Sequence, residues 1–149
     1  MNSSEEVLRA RKKAMDLLAR REHSHKELET KLTTRGFPAD IVQAVLTQLA
    51  EQDLLNESRF AEAFIEARSR QGMGPIRLRV ELRQRGLADA AIDQALSDPA
   101  LDWLDSARQV LRKKFGDEPP ADIRARARQT RFLEYRGFDG DVIRAALKD

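Results

Sequence analysis

The sequence contains no cysteine, few aromatic residues and no long apolar run. Without cysteine the chain cannot form disulfides, Cys-ligated zinc sites, iron–sulfur clusters or a thiol nucleophile. No stretch approaches the roughly 18 to 20 apolar residues of a membrane span, and the N-terminal segment lacks the apolar centre of a signal peptide. We therefore expect a soluble protein of the cytoplasm, which is a reducing compartment.

What the sequence does contain favours helices. Aromatic residues make up 5% of the 149 residues and there are seven glycines, whereas residues that lose little side-chain freedom in a helix (Ala, Leu, Arg, Glu and Gln) are abundant. With 41% hydrophobic and 35% charged residues, the chain has enough apolar side chains for a core beneath an unusually charged surface. We expect an all-α protein, and we exclude an all-β fold and wholesale disorder.

The residues that usually carry catalysis are absent or poorly spaced. The segment QGMGPIRL holds Gly72 and Gly74, but it lacks the third glycine of a dinucleotide-binding turn and the Gly-Lys-Ser/Thr of a nucleotide-binding loop; Pro75 is typical of a helix start. His23 and His25 are two positions apart, so a helix would point them to different sides. The carboxylates are scattered at spacings typical of surface ion pairs. We therefore predict no enzyme activity, no catalytic residue, no cofactor and no metal site.

The chain contains three copies of one pattern, anchored without gaps on Gly36, Gly86 and Gly137. In each copy an arginine precedes the glycine, an apolar residue follows it, and further apolar residues keep the same spacing: Leu32, Arg35, Phe37, Val42 and Leu46; Leu82, Arg85, Leu87, Ile92 and Leu96; Leu133, Arg136, Phe138, Ile143 and Leu147. The glycines are 50 and 51 residues apart, a period typical of stacked helical repeats. Because glycine favours the left-handed backbone that ends a helix, each copy predicts a helix, a glycine stop and a second helix.

Each period leaves room for one more helix upstream, predicted over residues 5–21, 57–70 and 99–114. Helix-start residues support this prediction: Ser24 with Glu27 forms a capping box, Asn56 can cap the following helix, and Asp98 precedes a proline. The sequence therefore predicts three tandem three-helix repeats, residues 1–52, 53–97 and 98–149, arranged as an elongated, curved rod. Because each unit finds a neighbour within the chain, we expect a monomer.

The segment IRLRVEL also has the alternating pattern of a half-buried strand. The repeat alignment favours a helix, because its first copy has leucines at the places of Leu78 and Leu82. On that helix Ile76 and Val80 form a second apolar stripe, which we expect to pack against a neighbouring unit.

Most aromatic residues are interpreted as core residues rather than as platforms for nucleic-acid bases. Phe60 and Phe64 lie one helical turn apart, as roughly do Phe132 and Tyr135, so each pair is expected to pack on one helix face. Trp103 is expected at a seam between two units.

The net charge is only +2, from 27 Lys and Arg against 25 Asp and Glu, but arginines are concentrated in two segments. Segment 68–85 has six arginines and one acid, Glu81, and segment 124–136 has five arginines and one acid, Glu134. The planar guanidinium group suits carboxylate and phosphate partners. Solvated helix faces are the alternative interpretation of both segments.

We predict that most arginines of the first segment lack a local partner and therefore bind an acidic or phosphate-bearing partner. The predicted contact residues are Arg68, Arg70, Arg77, Arg79 and Arg83. The secondary candidates are Arg124, Arg126, Arg128 and Arg131. Arg85 is expected to be mainly structural, because Arg35 and Arg136 recur at the same helix end, where a cation offsets the charge of unpaired carbonyls.

With these residues laid out, the chain resembles the RecX family of bacterial regulators of the RecA recombinase. The resembling stretches are RREHSHKELETKLTTRGF, LLNESRFAEAFIEARSRQGMGPIRLRVELRQRGL and RFLEYRGFDGDVIRAAL, and the resemblance runs over about residues 14–147. The middle stretch is the most specific, with a cap residue, Arg-Phe-Ala, a basic run, Gly-Pro, Glu-Leu and Arg-Gly in that order. The chain stops at Asp149, almost where the last predicted helix closes, so no tail function is expected.

The resemblance implies a non-enzymatic regulator that binds the RecA–DNA filament along its helical groove. It further implies inhibition of ATP hydrolysis, strand exchange and repressor cleavage in recombinational repair and the SOS response. The alternative, from the arginine segments, is a sequence-independent nucleic-acid-binding protein, although dedicated DNA-binding proteins usually carry a larger positive excess. Weak contact with single- or double-stranded DNA is compatible with either function.

Overall fold

The computed structural model describes residues 3–148, and within that range the chain forms only α-helices and turns, without a β-strand. The helices are α1 (Ser3–Arg20), α2 (His25–Thr34), α3 (Ala39–Glu51), α4 (Glu57–Arg70), α5 (Pro75–Gln84), α6 (Asp89–Leu96), α7 (Trp103–Phe115), α8 (Ile123–Arg136) and α9 (Gly140–Leu147). The all-α prediction is confirmed, including the helix over IRLRVEL. Among these helices none is both long and apolar enough to cross a membrane.

The helices form three units of three, each around its own apolar core. Helices α1–α3 form the first unit, α4–α6 the second and α7–α9 the third. The repeat positions Leu32, Leu82 and Leu133 are fully buried at the centre of the respective cores. The accessible surface is 9390 Å², against about 7700 Å² for a compact protein of this mass. The excess supports the predicted elongated arrangement.

The predicted helix starts after Ser24 and Asn56 are confirmed, and so are the predicted glycine stops in all three units. Ser24 and Glu27 form the reciprocal capping box, and the Asn56 side chain accepts from the N–H of Arg59. Gly36 and Gly86, like their counterpart in the third unit, have φ between +93° and +96°, a backbone region in which a side chain is strained.

The predicted start of the seventh helix is wrong. It begins at Trp103, where the Asp102 side chain accepts from the N–H of Asp105, rather than at Pro99. Asp98 instead accepts from the N–H of Ala100 in a turn. In this connecting segment Leu101 packs against the core of the second unit, before the first helix of the third unit begins.

Helix α5 buries only one of its two apolar stripes. Leu78 and Leu82 are fully buried, whereas Ile76 and Val80 are 53% and 48% exposed. The expectation that the second stripe packs against a neighbour is wrong, because the third unit contacts the N-terminal end of α5 rather than its side. Trp103 packs against both the second and the third core, as predicted.

Neighbouring units meet through the ends of their second helices. At the first seam, the hydroxyl of Ser24 at the start of α2 donates to the carbonyl of Arg85 at 2.7 Å, and Glu27 forms an ion pair with Arg85. At the second seam, the N–H of Gly74 at the start of α5 donates to the carbonyl of Arg136 at 2.7 Å. In both seams the positive end of one helix dipole faces the negative end of another, which is electrostatically favourable.

Candidate partner-binding surface

The arginines predicted to lack partners in the second unit are all paired with carboxylates. Glu81 binds Arg68 through two hydrogen bonds of 2.8 Å and binds Arg77 at 3.1 Å. These bonds, with that from Arg68 the strongest, hold the pKa of Glu81 below its ordinary value and raise the pKa of Arg68. The single acid of segment 68–85 therefore binds two of its arginines, although its one negative charge balances only one of them.

The remaining predicted arginines have acidic partners outside that segment. Arg70 pairs with Glu66 at 2.6 Å on the same helix, and Arg83 pairs with Asp89 at 2.8 Å. Arg79 pairs with Asp93. The ground for the prediction, a lack of partners, is thus wrong. Arg79 and Arg83 find theirs only because α6 packs alongside α5, whereas Arg70 has its partner one turn away on α4. The assignment of these arginines as contact residues stays a prediction.

Arg85 has a structural contact, but a different one from that expected. Its guanidinium pairs with Glu27 across the first seam and lies 5.3 Å from the centre of the Phe64 ring. Burial alone would raise the pKa of Glu27, but hydrogen bonds from Arg21, the Ser24 N–H and Arg85 outweigh it and lower that pKa. The Glu27 carboxylate therefore links residues of the first unit to Arg85 of the second unit at the first seam.

The secondary candidates on α8 differ from the arginines of the second unit because they are exposed and form no ion pair within residues 3–148. Arg124, Arg128 and Arg131 are spaced four and three apart, so they lie on one helix face. Arg126 lies apart from them and donates to the carbonyl of Leu147 at 3.3 Å. The three aligned guanidinium groups are free to bind an external anion.

Tyr135 extends that face toward the second unit. It follows Arg131 by one turn and is 75% exposed, so the expectation that it packs in the core with Phe132 is wrong. The guanidinium of Arg77 lies 5.4 Å from the centre of its ring, a cation–π contact between units. Arg124, Arg128, Arg131, Tyr135 and Arg77 therefore form one continuous surface, here called the α8 ridge.

A cleft of about 550 Å³ lies between the second and third units. Its lining includes four cationic side chains and no carboxylate: Arg70, Lys113, Lys114 and Arg136. Phe132 contributes an aromatic wall. The Arg136 guanidinium lies 4.9 Å and the Lys114 Nζ 6.0 Å from the centre of its ring. The two lysines lie outside both arginine-rich segments, although the RKK run at the end of α7 is visible in the sequence.

The two histidines lie near the first seam. The Nδ1–H of His23 donates to the carbonyl of Arg21 at 3.1 Å, and its Nε2 accepts from Lys31 Nζ at 2.9 Å. Burial lowers the pKa of both His23 and Lys31. His23 is therefore a neutral, buried structural residue in this arrangement, while the N–H of His25 donates to Glu57 at 3.3 Å.

Comparisons with known proteins match each unit to one family domain. Residues 10–49 match the first three-helix domain of RecX, residues 56–96 the second and residues 101–147 the third. The repeat boundaries predicted from the sequence enclose these ranges, but their positions stay predictions.

Named relatives match over most of the chain. The chain is 48% identical to regulatory protein RecX of Pseudomonas fluorescens over 95% of its own length and 91% of the relative, and 52% identical to that of Pseudomonas putida over 89% and 85%. The crystal structure of RecX from Lactobacillus salivarius has a TM-score of 0.81 at 19% identity, covering 97% of this chain and 96% of that one, which shows a shared fold.

Proposed function

The chain belongs to the RecX family, and from this premise we propose that it binds the RecA–DNA filament and inhibits RecA without catalysing a reaction itself. The observation that carries the proposal is the match of all three units, in order, to the three family domains. The inhibited activities are ATP hydrolysis, strand exchange and repressor cleavage in recombinational repair and the SOS response. The chain acts as a monomer in the cytoplasm, where RecA filaments form.

The charge distribution supports a filament as the partner. The protein surface carries both signs of charge. Within residues 3–148 no carboxylate pairs with the α8 arginines Arg124, Arg128 and Arg131, nor with Lys113, Lys114 and Arg136 in the cleft between the second and third units. A filament presents acidic protein surface and phosphate together, and complementary charge speeds association with both.

We propose that both arginine sets contact the partner and that the unpaired set contributes more. An arginine that already holds a carboxylate must exchange it for the partner, which offsets most of the gain, whereas an unpaired arginine only loses hydration. Arg124, Arg128 and Arg131 therefore rank ahead of Arg77, Arg79 and Arg83.

The function is tested by measuring the single-stranded-DNA-dependent ATPase of RecA with increasing amounts of this chain. We expect inhibition at near-stoichiometric or lower ratios of chain to RecA. If RecA ATPase and strand exchange continue unchanged at saturating chain, while the chain binds bare DNA tightly, the nucleic-acid-binding function replaces the proposed one.

The contact residues are tested with two matched triple variants that each remove three positive charges. One carries Arg124→Gln, Arg128→Gln and Arg131→Gln. The other carries Arg77→Gln, Arg79→Gln and Arg83→Gln; glutamine is chosen because glutamate would face the carboxylates of Glu81, Asp93 and Asp89. We expect the α8 variant to inhibit less and to have a shallower salt dependence. Equal inhibition by wild type and both folded variants would refute the assignment.

A second candidate function, weak sequence-independent binding of nucleic acid, is favoured by the same unpaired arginines. Each phosphate contact adds about one to the steepness with which the logarithm of the binding constant falls against the logarithm of salt concentration. Titrating single-stranded DNA alone across salt concentrations measures this contribution separately from RecA.

A further inference from the structure

The second helix of each unit ends in an arginine followed by a left-handed glycine, and we call these ends the Arg-Gly corners. They are Arg35–Gly36, Arg85–Gly86 and Arg136–Gly137. The second and third corners are covered by the preceding unit at the two seams. No described residue covers the first.

The covered corners share two polar contacts. The carbonyl of each arginine accepts a hydrogen bond from the cap residue of the covering helix, from the Ser24 hydroxyl in one seam and the Gly74 N–H in the other, both at 2.7 Å. Each arginine side chain also reaches an oxygen of the covering unit, the carboxylate of Glu27 in the first seam and the carbonyl of Gln71, at 2.8 Å, in the second. A covering helix therefore brings both a donor and an acceptor.

The covered corners also share a close backbone approach that depends on glycine. A Cβ added to Gly86 would lie 2.6 Å from the Cβ of Lys26, and one added to Gly137 would lie 2.5 Å from the Cβ of Arg77. The first turn of the covering helix thus passes directly over the glycine.

The first corner has the same groups without the cover. Arg35 is exposed, and within residues 3–148 its side chain has no ion pair and its carbonyl accepts no hydrogen bond. A Cβ on Gly36 would have nothing within 4 Å. A cleft of about 360 Å³ beside the corner is lined, besides Arg35, by Arg9, Lys12, Lys13, the half-buried ring of Phe37 and one carboxylate, Asp16.

We propose that the Arg35–Gly36 corner is a docking site for the N-terminus of an α-helix of a partner protein, with a carboxylate in the first turn of that helix. The cap residue of the partner helix donates to the Arg35 carbonyl, its carboxylate pairs with the Arg35 guanidinium beside Lys12 and Lys13, and its first turn passes over Gly36. The proposal rests on the proposed function, because it assigns this corner to a protein subunit of the filament rather than to DNA.

A second copy of this chain cannot repeat the seam contacts with its second helices. The N-termini of α2 and α5 are already used in the seams, so the only second helix left is α8. Its first turn carries Arg124 and Arg126 and no carboxylate, and these arginines would repel Arg35. The carboxylate of its cap residue, Asp122, already accepts from the N–H of Ala125 in its own helix. The charge of the corner therefore selects an acidic helix other than the second helix of any unit of this chain.

The test compares filament binding by Arg35→Glu, Gly36→Ala and wild type. Because the chain has no cysteine, an Asp117→Cys change in the turn before α8 gives each protein one dye position. Anisotropy is followed while RecA filaments, held on an oligonucleotide by a slowly hydrolysed ATP analogue, are added; the bare oligonucleotide is titrated in parallel. Arg108→Glu, which reverses another exposed arginine without an ion pair in the described chain, is the matched control.

We expect Arg35→Glu and Gly36→Ala each to weaken filament binding by about tenfold, as loss of a central interface contact does, while binding to the oligonucleotide is unchanged. Arg108→Glu should stay within about twofold of wild type. Wild-type affinity in both corner variants would overturn the docking site and leave the proposed function standing.

Three other outcomes would also overturn the site. An equal loss on the bare oligonucleotide would assign Arg35 to phosphate. A concentration-dependent dimer in sedimentation that Arg35→Glu abolishes would assign the corner to a second copy. Absence of filament binding by wild type would refute the proposed function itself, and the site with it.

Discussion

Replacing the equivalent glycines by alanine should separate backbone strain from packing between units. Gly36 and Gly137 have nearly the same backbone conformation, with φ of +93° and +96°, but different surroundings. A methyl group on Gly36 points into open space, whereas one on Gly137 would lie 2.5 Å from the Cβ and 2.6 Å from the backbone nitrogen of Arg77. The two substitutions therefore share one cost and differ in another.

The shared cost is the left-handed conformation. It is about 1–2 kcal/mol for a residue with a Cβ, and the lower entropy of the unfolded alanine chain returns about 0.4–1 kcal/mol. Gly36→Ala should thus lower the free energy of unfolding by about 1 kcal/mol.

The additional cost at Gly137 comes from the second seam. Carbon atoms need about 3.5–4.0 Å, so α5 must retreat by about 1 Å, and overpacking of this kind costs about 1–3 kcal/mol. The retreat also weakens the hydrogen bonds that Gly74 and Ile76 donate across the seam, at 2.7 and 2.9 Å. We expect Gly137→Ala to lose about 2–3 kcal/mol more than Gly36→Ala.

Urea unfolding followed by circular dichroism and by the fluorescence of Trp103, which lies between the second and third cores, measures both variants. Gly86→Ala should fall between them, because its methyl group meets the Lys26 side chain rather than backbone. Equal losses for Gly36→Ala and Gly137→Ala would refute the argument that the seam requires glycine.

Two further predictions concern titratable groups. Glu81→Gln leaves Arg68 and Arg77 without their shared charge and should cost about 1–2 kcal/mol at neutral pH. Because hydrogen bonding lowers the pKa of Glu81, this stabilisation is present above the ordinary pKa of 4.5 and is lost as pH falls through the lower folded value. Urea unfolding of variant and wild type measures this at a series of pH values. A difference in unfolding free energy that stays constant as the pH is lowered through this range would contradict the prediction. Burial lowers the pKa of His23, so the free energy of unfolding should fall as pH drops below the ordinary pKa of 6.5. Between pH 7 and 5 the His23→Gln variant should therefore lose less stability than wild type. An NMR titration that gives His23 a folded pKa of 6.5 or above would contradict this prediction. It would also contradict the assignment of a neutral His23 ring that accepts a hydrogen bond from Lys31.

The local features of this fold were predictable because they depend on neighbours in sequence. The capping box of Ser24 and Glu27 spans three residues, and the left-handed glycines need only the absence of a Cβ. The threefold repeat then extended these local signals to the whole chain, and it decided correctly that the alternating segment around Leu78 is a helix. The start of α7 was predicted at the wrong residue because two aspartates, at 98 and 102, both precede helix-compatible residues. Only the tertiary structure, in which Leu101 packs against the second core, distinguishes the two possible starts.

The surface was decided by tertiary structure, because the field around a charge depends on distances through space. Arg79 and Arg83 count as unpaired in a window along the chain, yet α6 folds back to place Asp93 and Asp89 beside them. Helix α9 packs against α8 in the same way, but none of its carboxylates pairs with Arg124, Arg128 or Arg131, which stay exposed. The three Arg-Gly corners differ for the same physical reason. Their sequences and backbone angles are alike, but packing of the units covers two of them and leaves Arg35–Gly36 open.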